Sequence, residues 1–180
     1  MKLHGNKITL KLLELSDAEA MLRLHLRNRS FFQSYIPKRD ESFYTLEGQE
    51  ARIQADLARK EQDQGYSFGI YLADTGELIG NVTLSEVLRG PLQSCFIGYY
   101  LDQAHNGKGY VTEAVRVVVD YAFYELALHR IEAGVMPHNV RSMRVLEKAG
   151  FHKEGIARKN VKINGKWEDH QVLAIVNEND

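Results

Sequence analysis

The sequence has a single cysteine, Cys95, so no internal disulfide framework can form, and no Cys-x-x-Cys pair or spaced Cys/His set offers a metal site. It has only three prolines, Pro37, Pro91 and Pro137, none of them in a linker-like cluster. No apolar run approaches the length of a membrane span, and Met1-Lys2-Leu3-His4-Gly5 lacks the apolar core of a signal peptide. Net charge of either sign is missing too: 23 Lys and Arg stand against 24 Asp and Glu, so the overall field selects neither nucleic acid nor membrane. Tandem repeats and low-complexity tracts are absent. What is present is a 180-residue chain, 44% hydrophobic and 26% charged, long enough for a core of its own and close to globular averages. These features predict one domain over residues 1–180, cytoplasmic and metal-free, a monomer or homodimer.

Ile8 to Leu13 is a short apolar run and reads as a first strand. Ser16-Asp17-Ala18-Glu19 has capping-box spacing, which predicts a helix from Asp17 to about Leu26. Phe31, Phe32, Tyr35 and Ile36 follow without clean periodicity, and a polar, largely exposed helix is predicted over Leu46 to Gln62. Tyr66–Ala73 and Leu78–Ser85 read as a hairpin around Asp74-Thr75-Gly76-Glu77, and Cys95–Leu101 as a buried strand. Val111, Val115, Val118, Ala122 and Leu126 recur at helical spacing and mark the clearest helix. Arg130–Val135 reads as a strand, and Val140–Lys148 as a helix capped by Asn139 and stopped by Gly150. Phe151–Arg158 and Trp167–Ile175 are the last strands, joined through an Asn164-Gly165 turn. Early helices, hairpin-linked strands and two later crossover helices imply an α/β chain whose mixed sheet is covered on both faces.

The stretch from Leu101 to Thr112 joins a strand to the start of the strongest helix. Gly107 and Gly109 let its backbone turn tightly and approach a ligand. The first amides of a helix have no intrahelical partner, and the dipole adds roughly 0.3–1 kcal/mol per bound negative charge. A diphosphate is the natural guest. A glycine-containing loop with no ligand is the plainer reading, and for Gly-x-Gly alone the better one. Two nucleotide motifs fail on residues: a Walker loop needs Ser or Thr where Gly109 stands, and a dinucleotide fingerprint needs Gly or Ala where Thr112 stands.

Asn106-Gly107-Lys108-Gly109-Tyr110-Val111 resembles the Gln/Arg-x-x-Gly-x-Gly/Ala loop by which GNAT acetyltransferases hold the CoA pyrophosphate. It departs from that pattern at Asn106 and at Val111. Pro137 to Phe151 resembles the GNAT segment in which an Asn caps a helix beside the CoA arm and Gly-Phe opens the next strand. The resemblance runs from about Ile8 to Ile175. It implies the GNAT fold, a central, mostly antiparallel seven-stranded sheet with about four helices covering both faces, and acetyl-CoA as co-substrate. It implies cofactor contacts from Asn106, Gly107, Lys108, Gly109, Tyr110, Val111, Thr112 and Asn139. Tyr99, Tyr100 and Leu101 would offer backbone groups to the pantetheine arm where two strands splay apart. Arg89-Gly90, Cys95–Tyr99, His129-Arg130-Ile131, Met136–Asn139 and Asn164–His170 resemble the RimJ side of the RimJ/RimL branch. That branch modifies the N-terminal residue of ribosomal proteins, so the resemblance implies a protein α-amino group as acceptor.

Acetyl transfer needs a neutral amine, a polarised carbonyl and a proton for the departing thiolate. An α-amino group with a pKa near 8 is neutral in about one molecule in ten at pH 7, a lysine amine in about one in a few thousand. Many GNAT enzymes carry a Tyr seven residues after the capping Asn as the acid; here that position is Leu146, which has no proton to give. Ser142 is the remaining donor, at a position where RimL-type proteins have a serine; its plainer reading is a first-turn hydroxyl satisfying backbone amides. The base is unassigned, since Phe96 stands where RimL-like sequences have Glu, while Asp169 and His170 lie on the last strand. Phe31, Phe32, Tyr35 and Trp167 are candidates for the acceptor entrance. Two other functions stay open. A small-amine acetyltransferase, for a polyamine, antibiotic or amino acid, would call for carboxylates near the acceptor, and the segment after Phe31 mixes Asp40 and Glu41 with Lys38 and Arg39. A CoA-binding sensor would keep the phosphate loop and lose turnover.

Overall fold

In the computed structural model, which describes residues 1–180, the chain opens on a hairpin of β1 (Lys2–His4) and β2 (Ile8–Leu12). Helices α1 (Ala18–Arg27), α2 (Arg29–Gln33) and α3 (Leu46–Glu61) follow. Three strands come next, β3 (Gly65–Leu72), β4 (Leu78–Leu88) and β5 (Ser94–Leu101). The second half runs α4 (Tyr110–Asp120), β6 (Arg130–Val135), α5 (Val140–Lys148), β7 (His152–Ile163) and β8 (Lys166–Val176). One sheet results, in the order β1-β2-β3-β4-β5-β6-β8-β7, antiparallel throughout except between β5 and β6.

The sheet therefore has eight strands rather than the expected seven, and five α-helices rather than about four. The extra strand is β1, three residues long with Leu3 opposite Leu10. Its turn is held from far away: the amides of Asn6 and Lys7 donate to the Glu113 carboxylate on α4 at 2.5 and 3.1 Å. The extra helix is α2, a single turn that buries Phe32. At the start of α1 the capping box is not Ser16 with Glu19 but Glu14 with Asp17, around a 3₁₀ turn at Leu15–Asp17. Asp17 accepts from the Glu14 amide at 2.9 Å and from the Tyr71 hydroxyl at 2.9 Å, which draws it into the protein.

Both faces of the sheet are covered. The larger core packs α4 and α5 on one face through Val115, Val118 and Leu146, and includes the side chain of Cys95. The smaller packs α1 and α3 on the other through Met21, Leu24 and Ile53. Helix α3 is polar as expected but not wholly exposed, because Gln49 and Ile53, one turn apart, are fully buried. The α4 stripe is helical to Asp120 and then widens into one π turn, Tyr121–Glu125, which sets the Tyr121 ring edge-on against Phe68. At the far edge, β7 runs to Ile163, further than its apolar residues indicate. Asn164 and Gly165 both take positive φ (50° and 83°), the two-residue turn their sequence predicts.

Candidate active site

Gly107 and Gly109 both adopt φ of +81°, the left-handed region that a side chain resists, and Gly109 is the N-cap of α4. The first amide of that helix with an internal acceptor is Glu113, which donates to Gly109 O at 3.1 Å. The N–H groups from Gly107 to Thr112 are thus left without partners inside the protein, a row of donors at the positive end of a helix dipole. The strand-to-loop junction is fixed by Asp102, whose carboxylate accepts from Arg27 Nε (3.0 Å), Asn28 Nδ2 (3.1 Å) and Ala104 N (3.3 Å). Burial alone would raise the Asp102 pKa, but these hydrogen bonds outweigh it and hold the carboxyl below its ordinary range. Sequence reasoning did not single out Asp102. The signal existed only in three dimensions, since its side-chain partners Arg27 and Asn28 lie at the end of α1, some 75 residues away.

Beside this loop the sheet opens. β5 pairs with β6 only from Ser94–Arg130 to Phe96–Glu132. Beyond that point Ala133 to Val135 of β6 stay with β8, and Ile97 to Leu101 of β5 have no partner on that side. The freed backbone groups face the gap between the strands, where an extended amide-bearing chain can meet them. Residues alternate across the strand. Tyr99 turns toward α5 and Tyr100 toward α1, while the Leu101 side chain is plain core.

On α5, Asn139 Oδ1 accepts from the Ser142 amide at 3.3 Å, the cap its sequence predicts. The Ser142 hydroxyl, by contrast, does not serve the backbone amides. It lies 2.6 Å from the Tyr99 hydroxyl, which also reaches Ser142 O at 3.1 Å. Burial pushes the Tyr99 phenol up to about 12, so it stays protonated at neutral pH. One cavity of about 550 Å³ connects the α4 loop, the strand gap and the Ser142–Tyr99 pair, and continues to Phe31, Phe32 and Tyr35. No Asp or Glu lines it.

Residues 7–152 match the acetyltransferase (GNAT) domain family. The chain belongs to the GNAT acetyltransferases. It is 62% identical over 178 residues to the probable N-acetyltransferase YjcK of Bacillus subtilis (strain 168), covering 99% of this chain and 98% of that one. It is 34% identical over 175 residues to the [ribosomal protein uS5]-alanine N-acetyltransferase of Escherichia coli (strain K12), covering 97% and 90%. Among solved structures, Mycobacterium smegmatis RimJ in complex with CoA-disulfide superposes with a TM-score of 0.90 at 30% identity, over 95% of this chain and 82% of that one.

In this GNAT enzyme the cavity gathers Tyr99, Tyr100, Leu101, Asn106, Gly107, Gly109, Tyr110, Val111, Thr112, Asn139 and Ser142, all expected at the site. Lys108 is the exception: its side chain is exposed and does not line the cavity. Trp167 is likewise exposed on the hairpin and stays out, whereas Phe31, Phe32 and Tyr35 form a wall. Asp169 is structural, its carboxylate accepting from the Lys159 amide at 2.8 Å within a β7 bulge. His170 is buried, lines the cavity, and places Nδ1 2.9 Å from Asn160 Oδ1 and 3.2 Å from Glu168 O. Both partners are acceptors, so Nδ1 donates to them and Nε2 is the ring nitrogen these contacts leave unengaged. Arg144 and Lys148 of α5 also face the cavity and were not singled out from the sequence.

The aromatic wall of the cavity in the GNAT enzyme rests on a second buried imidazole. His25 Nε2 lies 3.1 Å from the Tyr100 hydroxyl, and its ring packs against Phe32, Phe43 and Tyr100. Burial first, then the charges of Arg52 and Arg39, lower its pKa from 6.5 to about 3. Folded His25 is therefore neutral where the unfolded chain binds a proton. Its contribution to stability is whole above pH 6.5 and drains away as the pH falls toward 3. Urea unfolding at pH 7, 6 and 5 should show stability falling by up to about 1.4 kcal/mol per pH unit from this group. A His25→Gln variant should have a shallower slope, and parallel slopes would remove His25 as the cause.

Proposed function

We propose that this enzyme moves an acetyl group from acetyl-CoA to the free α-amino group of a protein N-terminus, with a ribosomal protein as the acceptor class that its relatives suggest. The observation that carries the reading is the shared cavity: unpaired amides at the α4 N-terminus, unpaired β5 backbone and the Ser142 hydroxyl all open onto one space that no carboxylate lines. The amides of Gly107 to Thr112 would hold the pyrophosphate, with Arg144 and Lys148 adding positive charge, and β5 would hold the pantetheine arm. When bound, acetyl-CoA supplies the thioester whose acyl carbon takes the amine. Ser142 donates the proton that the departing sulfur needs and takes one back from solvent water, and Tyr99 orients that hydroxyl. His170 Nε2 takes the proton the amine gives up, directly or through one water. An α-amino group, partly neutral at pH 7, asks little of such a base, whereas a lysine or polyamine cation would meet no countercharge in the cavity.

The reading predicts that acetyl-CoA at a hundred times its Kd stabilises the fold by about 2.7 kcal/mol, a Tm rise of roughly 5–10 °C for a chain this long. Mass spectrometry of alanine-starting peptides incubated with acetyl-CoA should then show a 42 Da gain at the α-amino nitrogen, about the mass of one acetyl for one hydrogen. A Tm rise with ATP or NAD but none with acetyl-CoA would sink the assignment. Acetylation confined to polyamines or free amino acids would redirect it to small amines.

A further inference from the structure

Two guanidinium groups without a carboxylate stand behind the acceptor wall. Arg39 follows the Phe31–Ile36 segment and Arg52 projects from α3, and each has its Cζ 5.2 Å from the centre of the Phe43 ring. Neither takes part in an ion pair, although acids are close by. Glu41 is held by Arg29 and Asp56 by Arg59 at 2.7 Å, while Asp40, next to Arg39 in sequence, bridges to neither arginine. Two like charges over one ring repel each other and attract an anion. Desolvation of the Arg39 guanidinium, and then the charge of Arg52, pull Arg39 below the usual arginine range.

The platform beneath them is built rather than incidental. Gln49 is fully buried and donates from Nε2 to Phe43 O at 2.7 Å. The Phe43 ring packs edge-on to His25 at 4.7 Å, and His25 meets the Tyr100 hydroxyl at 3.1 Å. Tyr100 and Phe32 in turn line the cavity. The β7–β8 turn closes over the same end, where Asn164 Oδ1 accepts from the Lys38 amide at 2.8 Å. Ile163, beside Asn164, lines the cavity, so this contact ties the cavity wall to the segment that carries Arg39.

We propose that Arg39 and Arg52 form a carboxylate-binding subsite that selects acceptor peptides with an acidic side chain near their N-terminus. The proposal rests on the N-terminal reading above. An extended peptide advances about 3.3 Å per residue, so an acidic side chain roughly two to four positions beyond the reacting amine spans the Tyr100–His25–Phe43 wall. A guanidinium presents its planar N–H fork to a carboxylate, and such charge-assisted bonds are the strong ones.

The test uses C-terminally amidated, fluorescently labelled peptides that begin with a free alanine and carry Glu or Gln at position 2, 3, 4 or 5. Equilibrium affinity is read by anisotropy in the presence of CoA at about 0.15 M salt, where remote charges are screened. At one or two positions Glu should bind about tenfold or more tighter than Gln, the scale of a charged hydrogen bond. That preference should vanish in the folded Arg39→Gln/Arg52→Gln double variant and largely survive in Arg39→Lys/Arg52→Lys. Equal affinity for every Glu/Gln pair, or a preference untouched by the double glutamine variant, overturns the subsite. Acetylation of the same peptides is scored separately by mass spectrometry. Turnover without charge preference sinks the subsite alone, and charge-dependent binding without α-amino acetylation sinks the N-terminal reading alone.

Discussion

In a Ser142→Ala variant kcat should fall about 10²–10⁴-fold, the usual worth of a general acid, while acetyl-CoA affinity stays nearly unchanged. A purely structural Ser142 predicts a different result. Were Ser142 only a first-turn helix residue, its hydroxyl would turn to the backbone amides, and its removal would cost about 0.5–1.5 kcal/mol of stability. The hydroxyl lies 2.6 Å from the Tyr99 hydroxyl, and Asn139 already accepts from the Ser142 amide. Tyr99, protonated up to about pH 12, has one proton to share between Ser142 O and Oγ, and when it donates to Oγ the serine proton is free for the leaving sulfur. Tyr99→Phe should therefore lower kcat too, by less, because the serine proton remains but its aim is lost. Steady-state rates on an alanine-starting peptide, read beside Tm and CoA affinity, decide the matter. Full turnover in both variants would leave the sulfur to take its proton from water.

Gly109→Val should weaken acetyl-CoA binding more than 100-fold in a protein that still folds. Three amide–phosphate bonds at about 1.5 kcal/mol each would already exceed that factor if the loop backbone were displaced or shielded. At φ +81° a β-branched residue is strained by roughly 1–3 kcal/mol, yet a Cβ built there meets no protein atom within 4 Å. Its steric effect falls on whatever approaches the amides. The apolar stripe of α4 begins at Val111 and is untouched, so the helix should persist. Gly109→Ala is the control: it shares the backbone strain but projects far less bulk, and its affinity should lie between those of the wild type and the valine variant. Calorimetric titration with acetyl-CoA measures all three. Wild-type affinity in a folded Gly109→Val protein would mean that the loop holds no diphosphate.

What the sequence made legible was whatever a local period or a single residue's conformational need could write. Val140–Lys148 and Arg130–Val135 fall where patterning put them, and Asn164-Gly165 turns as its left-handed preference requires. Gly107 and Gly109 were readable for the same reason. The rest depended on partners far along the chain. β1 exists because Glu113 holds its turn, and Glu14 displaced Ser16 as the cap because Tyr71 and Lys11 draw Asp17 inward. The same limit applied to the site. Ser142 was visible from a motif, but its link to Tyr99 joins residues 43 positions apart, and no spacing rule couples a strand phenol to a helix hydroxyl. His170 and Asp169 looked equivalent as neighbours on a strand. Strand alternation sends one inward to the cavity and leaves the other to brace a bulge.

The burial of Cys95 gives the experimenter an instrument. The chain's one thiol is 2% exposed and pushed up to about 12 by its surroundings, so in the native state it is neither accessible nor ionised. A thiol-reactive chromophore added during turnover would then report the sulfhydryl released from the acyl donor against a silent protein background. With no donor present, the same reagent becomes a clock. Cys95 sits on β5 within the larger core, so its slow labelling would time the opening of the central sheet itself.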